Sequence, residues 1–250
     1  MSESYVKYNS NKGVGYIEFF HPAHNSLPGD LLGELARTIT NAGNDESVNV
    51  LVVKSGGDRT FCAGASFNEL VDIEDEETGE KFFSGFANVI NAMRKCPKFI
   101  IGRIQGKAVG GGVGLAAATD YCMATKFAEI KLSELNVGIG PFVVGPSIQR
   151  KIGLSGMSQI AMDANAFYPA EWARQKGLYT HVYETTEELD EAVENFADSL
   201  TAYNPKAMSE MKTMFWRGTD DWDMLLMQRA KISGRLVLSE FTKDTLRNYK

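Results

Sequence analysis

Gly106-Lys107-Ala108-Val109-Gly110-Gly111-Gly112-Val113-Gly114-Leu115 is the stretch on which the reading of this 250-residue chain turns. It follows the apolar run Phe99 to Ile104 and leads into Ala116-Ala117-Ala118, which spells strand, glycine-rich turn, helix. Five glycines in ten positions disfavour the folded state, since glycine loses more backbone freedom on folding than any other residue. Two needs would offset this. Backbone N–H donors at a helix start can be brought close to an oxygen or an anion, or a tight turn can let the helix pack on a sheet. The glycines alone leave both open.

Upstream, Val48 to Val53 is a β-branched and leucine run, as expected of a strand buried on both faces. It opens into Ser55-Gly56-Gly57-Asp58-Arg59-Thr60 and then Phe61-Cys62-Ala63-Gly64-Ala65-Ser66. Both small-residue loops thus follow a buried strand and begin a helix. Adjacent in a sheet, they could point two backbone N–H groups at one oxygen. Removing one donor from such an oxyanion hole typically costs about 3 kcal/mol of transition-state stabilisation.

Farther out, Tyr5 to Tyr8 and Val14 to Phe20 read as strands around a turn, and His21 to Gly29 as a loop. Leu31, Leu32, Leu35 and Ile39 share one helical face, with Gly43 as a stop. An acidic segment, Asp72 to Glu80, reads as an exposed loop or helix end. Phe82, Phe83, Phe86, Val89, Ile90 and Met93 mark an amphipathic helix ended by Cys96-Pro97. Strands alternating with helices predict an α/β architecture with right-handed crossovers.

Downstream, Ala128 to Leu132 reads as a strand leading to Ser133-Glu134-Leu135-Asn136-Val137-Gly138-Ile139-Gly140-Pro141. Pro169 to Lys176 reads as a short helix capped by Gly177, and Leu178 to Tyr183 as a strand. From Thr186 the pattern is helical: Leu189 to Ala202, Pro205 to Phe215, and one long piece from Asp220 to Phe241. We therefore divide the chain into a core, residues 1–185, and a helical region, residues 186–250. Trp222, Leu225, Leu226, Ile232, Leu236 and Leu238 leave the last piece apolar enough to pack on a neighbouring subunit.

Hydrophobic content of 44% and charged content of 23% fit an ordinary globular protein. With 26 basic and 32 acidic residues, net charge −6, no footprint for nucleic acid or an anionic membrane is present. Cys62, Cys96 and Cys122 lack the spacing of a metal site or a disulfide frame, so reduced thiols and no metal are expected. The polar start, Met1 to Tyr5, lacks the signature of a signal peptide, and a cytoplasmic place is the default expectation.

Phe61-Cys62-Ala63-Gly64-Ala65, then Gly106-Lys107-Ala108-Val109-Gly110-Gly111-Gly112, then Ser133-Glu134-Leu135 with Gly138-Ile139 and Pro141 resembles the crotonase superfamily of enoyl-CoA hydratases and isomerases. The resemblance runs from about Tyr5 to Tyr183 and fades in the helical tail. It implies a spiral core of ββα repeats with a C-terminal helical trimerisation region. It also implies a thioester substrate on coenzyme A, with no separate cofactor, and assembly as a homotrimer or a dimer of trimers. The thioester oxygen would sit between the N–H groups of Ala65 and Gly111, with Ala63, Ser66, Phe67 and Asn68 lining the thioester, and the Asn25 loop would lie against the pantetheine or nucleotide part.

Hydratases of this family use two glutamates, one shortly after the glycine run and one at the position of Glu134. Here the first is Gly114, which has no side chain. A single carboxylate can take a proton from C2 of a 3-enoyl thioester and return it at C4, the work of the Δ3,Δ2-enoyl-CoA isomerases. Leu135, Val137, Ile139 and Phe142 would form an apolar pocket that raises the Glu134 pKa. Phe142 would also crowd the place of a catalytic water, yet is reminiscent of relatives acting on branched or dicarboxylic acyl groups. A 3-methylglutaconyl-type hydratase therefore stays open, with Asp72, Glu74, Asp75 or Glu76 as the source of a second acid. A non-catalytic acyl-CoA-binding relative, with Glu134 merely solvated, is a further alternative. Gly112-Val113-Gly114-Leu115-Ala116-Ala117 also fits the GxGxxA form of a dinucleotide fingerprint, which makes an NAD-dependent oxidoreductase the remote alternative. His21, His24 and His181 read as local or structural residues, and Cys62 has no base in sequence to activate it.

Overall fold

The computed structural model describes residues 3–247, so the ends of both segments, Met1-Ser2 and residues 248–250, lie outside the described residues. Successive passes of the chain repeat one pattern: a long strand, a short strand, then a helix. The first pass is the hairpin of β1 (Tyr5–Asn11) and β2 (Val14–Phe20), followed by β3 (Ser26–Leu27) and α1 (Gly29–Gly43). The second is β4 (Val50–Ser55), β5 (Thr60–Cys62), β6 (Gly64–Ala65), α2 (Phe67–Val71) and α3 (Glu76–Lys95). The third is β7 (Phe99–Ile104), β8 (Lys107–Val109) and α4 (Gly111–Ala118). The fourth is β9 (Tyr121–Thr125), β10 (Ile130–Lys131), a 3-10 turn at Glu134–Val137 and α5 (Gly145–Met162). The remainder is α6 (Ala170–Gln175), β11 (His181–Tyr183), α7 (Thr186–Thr201), α8 (Pro205–Phe215), α9 (Trp222–Leu236) and α10 (Glu240–Arg247).

The long strands form one sheet in the order β1-β2-β4-β7-β9-β11, parallel except for the β1–β2 hairpin. The short strands form a second, parallel sheet in the order β10-β8-β5, and β3 pairs with β6. Each pass advances the chain by one strand in both sheets, which is the ββα spiral. The central strand β4 shows why its sequence is apolar throughout. Leu51 and Val53 join the core under α1, α3 and α4, while Val50 and Val52 meet Leu189, Val193 and Ala197 of α7 on the opposite face. Each such side chain contributes about 1.5–3 kcal/mol on burial. The boundary read at residues 185 and 186 therefore falls between β11 and α7, but the helices beyond it complete the core of the sheet.

The C-terminal helices depart from the sequence reading in one respect. The expected single piece from Asp220 to Phe241 is broken between α9 and α10, because the Ser239 hydroxyl accepts the N–H of Thr242 and starts a new helix. α9 packs on α3 through two glycines: a Cβ on Gly79 would stand 2.9 Å from the Gly234 Cα. α10 then folds back over the 3-10 turn, with Thr242 and Phe241 against Gly138. The strand expected from Ala128 to Leu132 shortens to β10, and α5 was not anticipated. Among the described residues no helix is long and apolar enough to cross a membrane.

Candidate active site

The glycine run meets the packing need that the sequence left open and opens a helix beside the cavity. Gly110 caps α4 with φ 53°, a conformation that L side chains rarely adopt. A Cβ on Gly110 would lie 3.1 Å from Glu134 Oε1, which places the Glu134 carboxylate directly over the residue preceding Gly111. Gly111 opens α4, so its N–H has no carbonyl one turn earlier to bond. The N–H groups of Val113 and Gly114 already bond back to the Gly110 carbonyl. A Cβ on Gly111 would stand 2.2 Å from Phe86 Cζ, and one on Gly112 would stand 2.4 Å from the Cys62 carbonyl oxygen. The helix start is thus pressed against both α3 and the earlier small-residue loop.

That loop is shaped by its own small residues. Cys62 Sγ accepts the N–H of Gly64 at 3.4 Å, and Gly64 turns the backbone at φ 92°. The Ser26 hydroxyl donates to the Ala65 carbonyl at 2.9 Å, and the Ser66 N–H donates to the Leu27 carbonyl at 3.0 Å. A Cβ on Gly64 would lie 3.6 Å from the Gly111 nitrogen. The two loops that the sequence singled out are therefore neighbours, and both border one cavity of about 340 Å³.

Glu134 enters this cavity from the first residue of the 3-10 turn, which Gly138 ends in the left-handed region. Its Oε2 is buried with no hydrogen-bond partner among the described residues. Burial pushes the carboxyl up to about 7, against the smaller downward pull of the backbone N–H groups of Glu134 and Ser133. The rest of the wall is apolar: Phe82, Phe83 and Phe86 from α3, then Val137, Ile139 and Phe142.

Of the residues named from sequence, Ala63, Ala65, Phe67, Gly111, Glu134 and Phe142 border the cavity. Ser66 and Asn68 do not. The Ser66 hydroxyl is turned to cap α2, accepting the Glu69 N–H, and Asn68 lies exposed on that helix. Leu135 is 52% exposed and leaves the apolar lining to Val137 and Ile139, because the 3-10 turn rotates it outward. The acidic segment stays outside. Asp75 forms a capping box with Thr78 at the start of α3, and Asp72 and Glu74 are exposed. Asn25 is buried and spends its side-chain amide on the Gly56 and Thr60 carbonyls, while Ser26 beside it reaches the cavity. His21 Nδ1 accepts the Ala23 N–H, and His24 and His181 are exposed. Cys62 is buried and its thiol is pushed up to about 12, so it supplies no thiolate. The dinucleotide fingerprint lies in α4, which is buried along its whole length and has its glycines against protein atoms, leaving no surface for a dinucleotide.

Sequence reasoning missed four features of the wall. Phe82, Phe83 and Phe86 carried a helical periodicity that reads identically for a core and for a cavity. Ser26 and the pair Val143 and Val144 lay in stretches that the sequence singled out, but without a place in the wall, and Ser233 carried no motif. Val144 closes the space beside Gly114: a Cβ on that glycine would stand 2.5 Å from Val144 Cγ1.

The pattern of the enoyl-CoA hydratase/isomerase family matches residues 9–247. The chain is 26% identical over 231 residues to the peroxisomal Delta(3,5)-Delta(2,4)-dienoyl-CoA isomerase of Arabidopsis thaliana, a match covering 86% of this chain and 81% of that protein. It is 31% identical over 189 residues to the mitochondrial methylglutaconyl-CoA hydratase of Mus musculus, covering 75% of this chain and 60% of that longer protein. The crystal structure of an enoyl-CoA hydratase from Bacillus halodurans superposes with a TM-score of 0.90 at 21% identity, over 98% of this chain and all of that one, and shares its fold. Adjacent glycine loops on a ββα spiral and a pattern match from β1 to α10 agree: the chain belongs to the enoyl-CoA hydratase/isomerase family of the crotonase superfamily.

Proposed function

We propose that the chain is a Δ3,Δ2-enoyl-CoA isomerase that works with one carboxylate. One observation carries the reading: among the described residues, Glu134 is the only titratable side chain bordering the cavity. The thioester oxygen is placed between the N–H groups of Ala65 and Gly111. Glu134, ionised, takes a proton from C2 of the 3-enoyl thioester. The electron pair spreads onto the thioester oxygen, where fixed N–H donors stabilise the enolate that is forming. The protonated Glu134 then returns the proton at C4 as the double bond moves to C2–C3. No atom is gained or lost, and no cofactor beyond the coenzyme A of the substrate is required.

Hydration would need a second group to handle water. The position beside Gly114 is filled by Val144, and Asp72, Glu74, Asp75 and Glu76 are exposed and do not border the cavity. The same reading includes assembly as a homotrimer or a pair of trimers, supported by the apolar side chains of Met224, Leu236 and Phe241 left exposed on α9 and α10. A monomer in light scattering would remove that part.

The test is incubation of a 3-enoyl-CoA with the wild type and with Glu134→Gln, followed by absorbance of the conjugated product. Conversion by the wild type alone, with thioester affinity kept in the variant, is the expected result. Water addition would replace isomerisation by hydration, and binding without conversion would make the chain a non-catalytic relative.

A further inference from the structure

Among the described residues, one fully buried polar side chain of the cavity besides Glu134 has no role in that chemistry. Ser233, on α9, is 1% exposed and borders the cavity. Its hydroxyl has no hydrogen-bond partner among the described residues. A serine or threonine in a helix ordinarily bonds a carbonyl in the preceding turn. Ser84, Ser158, Ser199 and Thr245 of this chain do so, donating to the carbonyls of Lys81, Ser155, Phe196 and Phe241. Ser233 does not. The tight crossing of α9 on α3 explains why the residue is small, but alanine would serve that crossing equally well.

The position of Ser233 is fixed by α3. Phe86 of that helix lies against Gly111, and Gly79, seven residues earlier, lies against Gly234 beside Ser233. At 1.5 Å per residue the two contacts are about 10 Å apart along the helix. Phe82 and Phe83 fill the interval. Ser233 thus borders the cavity about 10 Å along α3 from the proposed thioester site, across an apolar wall. The wall holds no cation, and Glu134 is its one acid, so a carboxylate at that end would find no counter-charge.

Resting on the acyl-thioester reading above, we infer that the preferred substrate is a medium-length acyl thioester with a neutral oxygen substituent, a hydroxyl or oxo group, toward the far end of its chain, hydrogen-bonded by Ser233. A hydroxyl that opens onto an otherwise apolar stretch of wall, with no partner within the protein, favours a chain that brings it one over the plain chain.

The experiment is calorimetric binding of octanoyl-CoA and ω-hydroxyoctanoyl-CoA to the wild type and to Ser233→Ala. The ratio of the two affinities should shift about tenfold against the hydroxylated chain on substitution, the size of one hydrogen bond. An unchanged ratio would overturn the inference and leave the acyl-thioester reading standing. A protein that binds neither thioester would overturn both. A measurement that needs no variant repeats the wild-type titration with the hydroxyl moved to mid-chain. Weaker binding than for the ω-isomer is expected, and equal binding would contradict the assignment to Ser233.

Discussion

The carboxylate of Asp120 is held by three donors, whereas that of Glu134 holds an oxygen with none. Asp120 pairs with the Lys212 ammonium at 2.8 Å and accepts the Ile100 N–H and the Trp216 indole N–H, each at 2.8 Å. Lys212 in turn donates to the Lys98 carbonyl, so α8 is fastened to the start of the central strand β7 through ionic and neutral bonds. Glu134 lies across the fold in an apolar cavity, with Oε2 enclosed and unpartnered. The difference shows what each site does with burial. A satisfied buried pair joins two elements, and removing either partner leaves the other uncompensated. An unsatisfied buried acid holds its proton more tightly and gives it up near neutrality, which suits a group that must do both in turn.

The largest effect expected from breaking this contrast is catalytic. Glu134→Gln should lower kcat on a 3-enoyl-CoA by about 10²–10⁴-fold with KM nearly unchanged, as steady-state kinetics will show. Next comes the structural carboxylate. Asp120→Ala leaves the Lys212 ammonium buried without its counter-charge, so unfolding in denaturant should reveal a loss of about 3–5 kcal/mol; a loss near zero would remove the distinction between the two sites.

A smaller effect has the opposite sign. The folded pKa of Glu134, about 7, lies above the ordinary carboxylate value. Between those two values the native state keeps a proton that the unfolded chain has released, so stability falls as pH rises through that window. Glu134→Gln should therefore gain roughly 3 kcal/mol at about pH 8 and close to nothing near pH 4, read from unfolding curves at the two pH values. The least of the four is the wild-type rate profile. A base that must be ionised, with pKa about 7, predicts that kcat/KM rises about tenfold from pH 6 to pH 8 and then levels. A profile flat across that range would show that Glu134 titrates elsewhere.

Much of this architecture was legible because it rests on short-range rules. The unbroken apolar character of β4 announced a strand buried on both faces, and the glycines at 64 and 110–112 announced close backbone approach. Both loops do meet, and Glu134 stands over Gly110. What escaped depends on contacts distant in sequence. The outward turn of Leu135 follows from the 3-10 geometry that Gly138 ends, and no alternation of residues signals it. The break before α10 needs only the single hydroxyl of Ser239, too slight a signal inside a long helical pattern. The phenylalanines of α3 were read as core because periodicity assigns a face to the interior without saying whether atoms or a cavity lie opposite. Ser233 needed the crossing of α9 on α3 before its hydroxyl could be seen as unusual.

The central claim is that one carboxylate moves one proton between two carbons. Proton NMR and mass spectrometry of a 3-enoyl-CoA turned over in heavy water test it most directly. The account predicts migration of the double bond to the 2-position, deuterium at C2 or C4 and no added water, all lost in Glu134→Gln. Addition of water across the double bond, or migration undiminished in that variant, would contradict it.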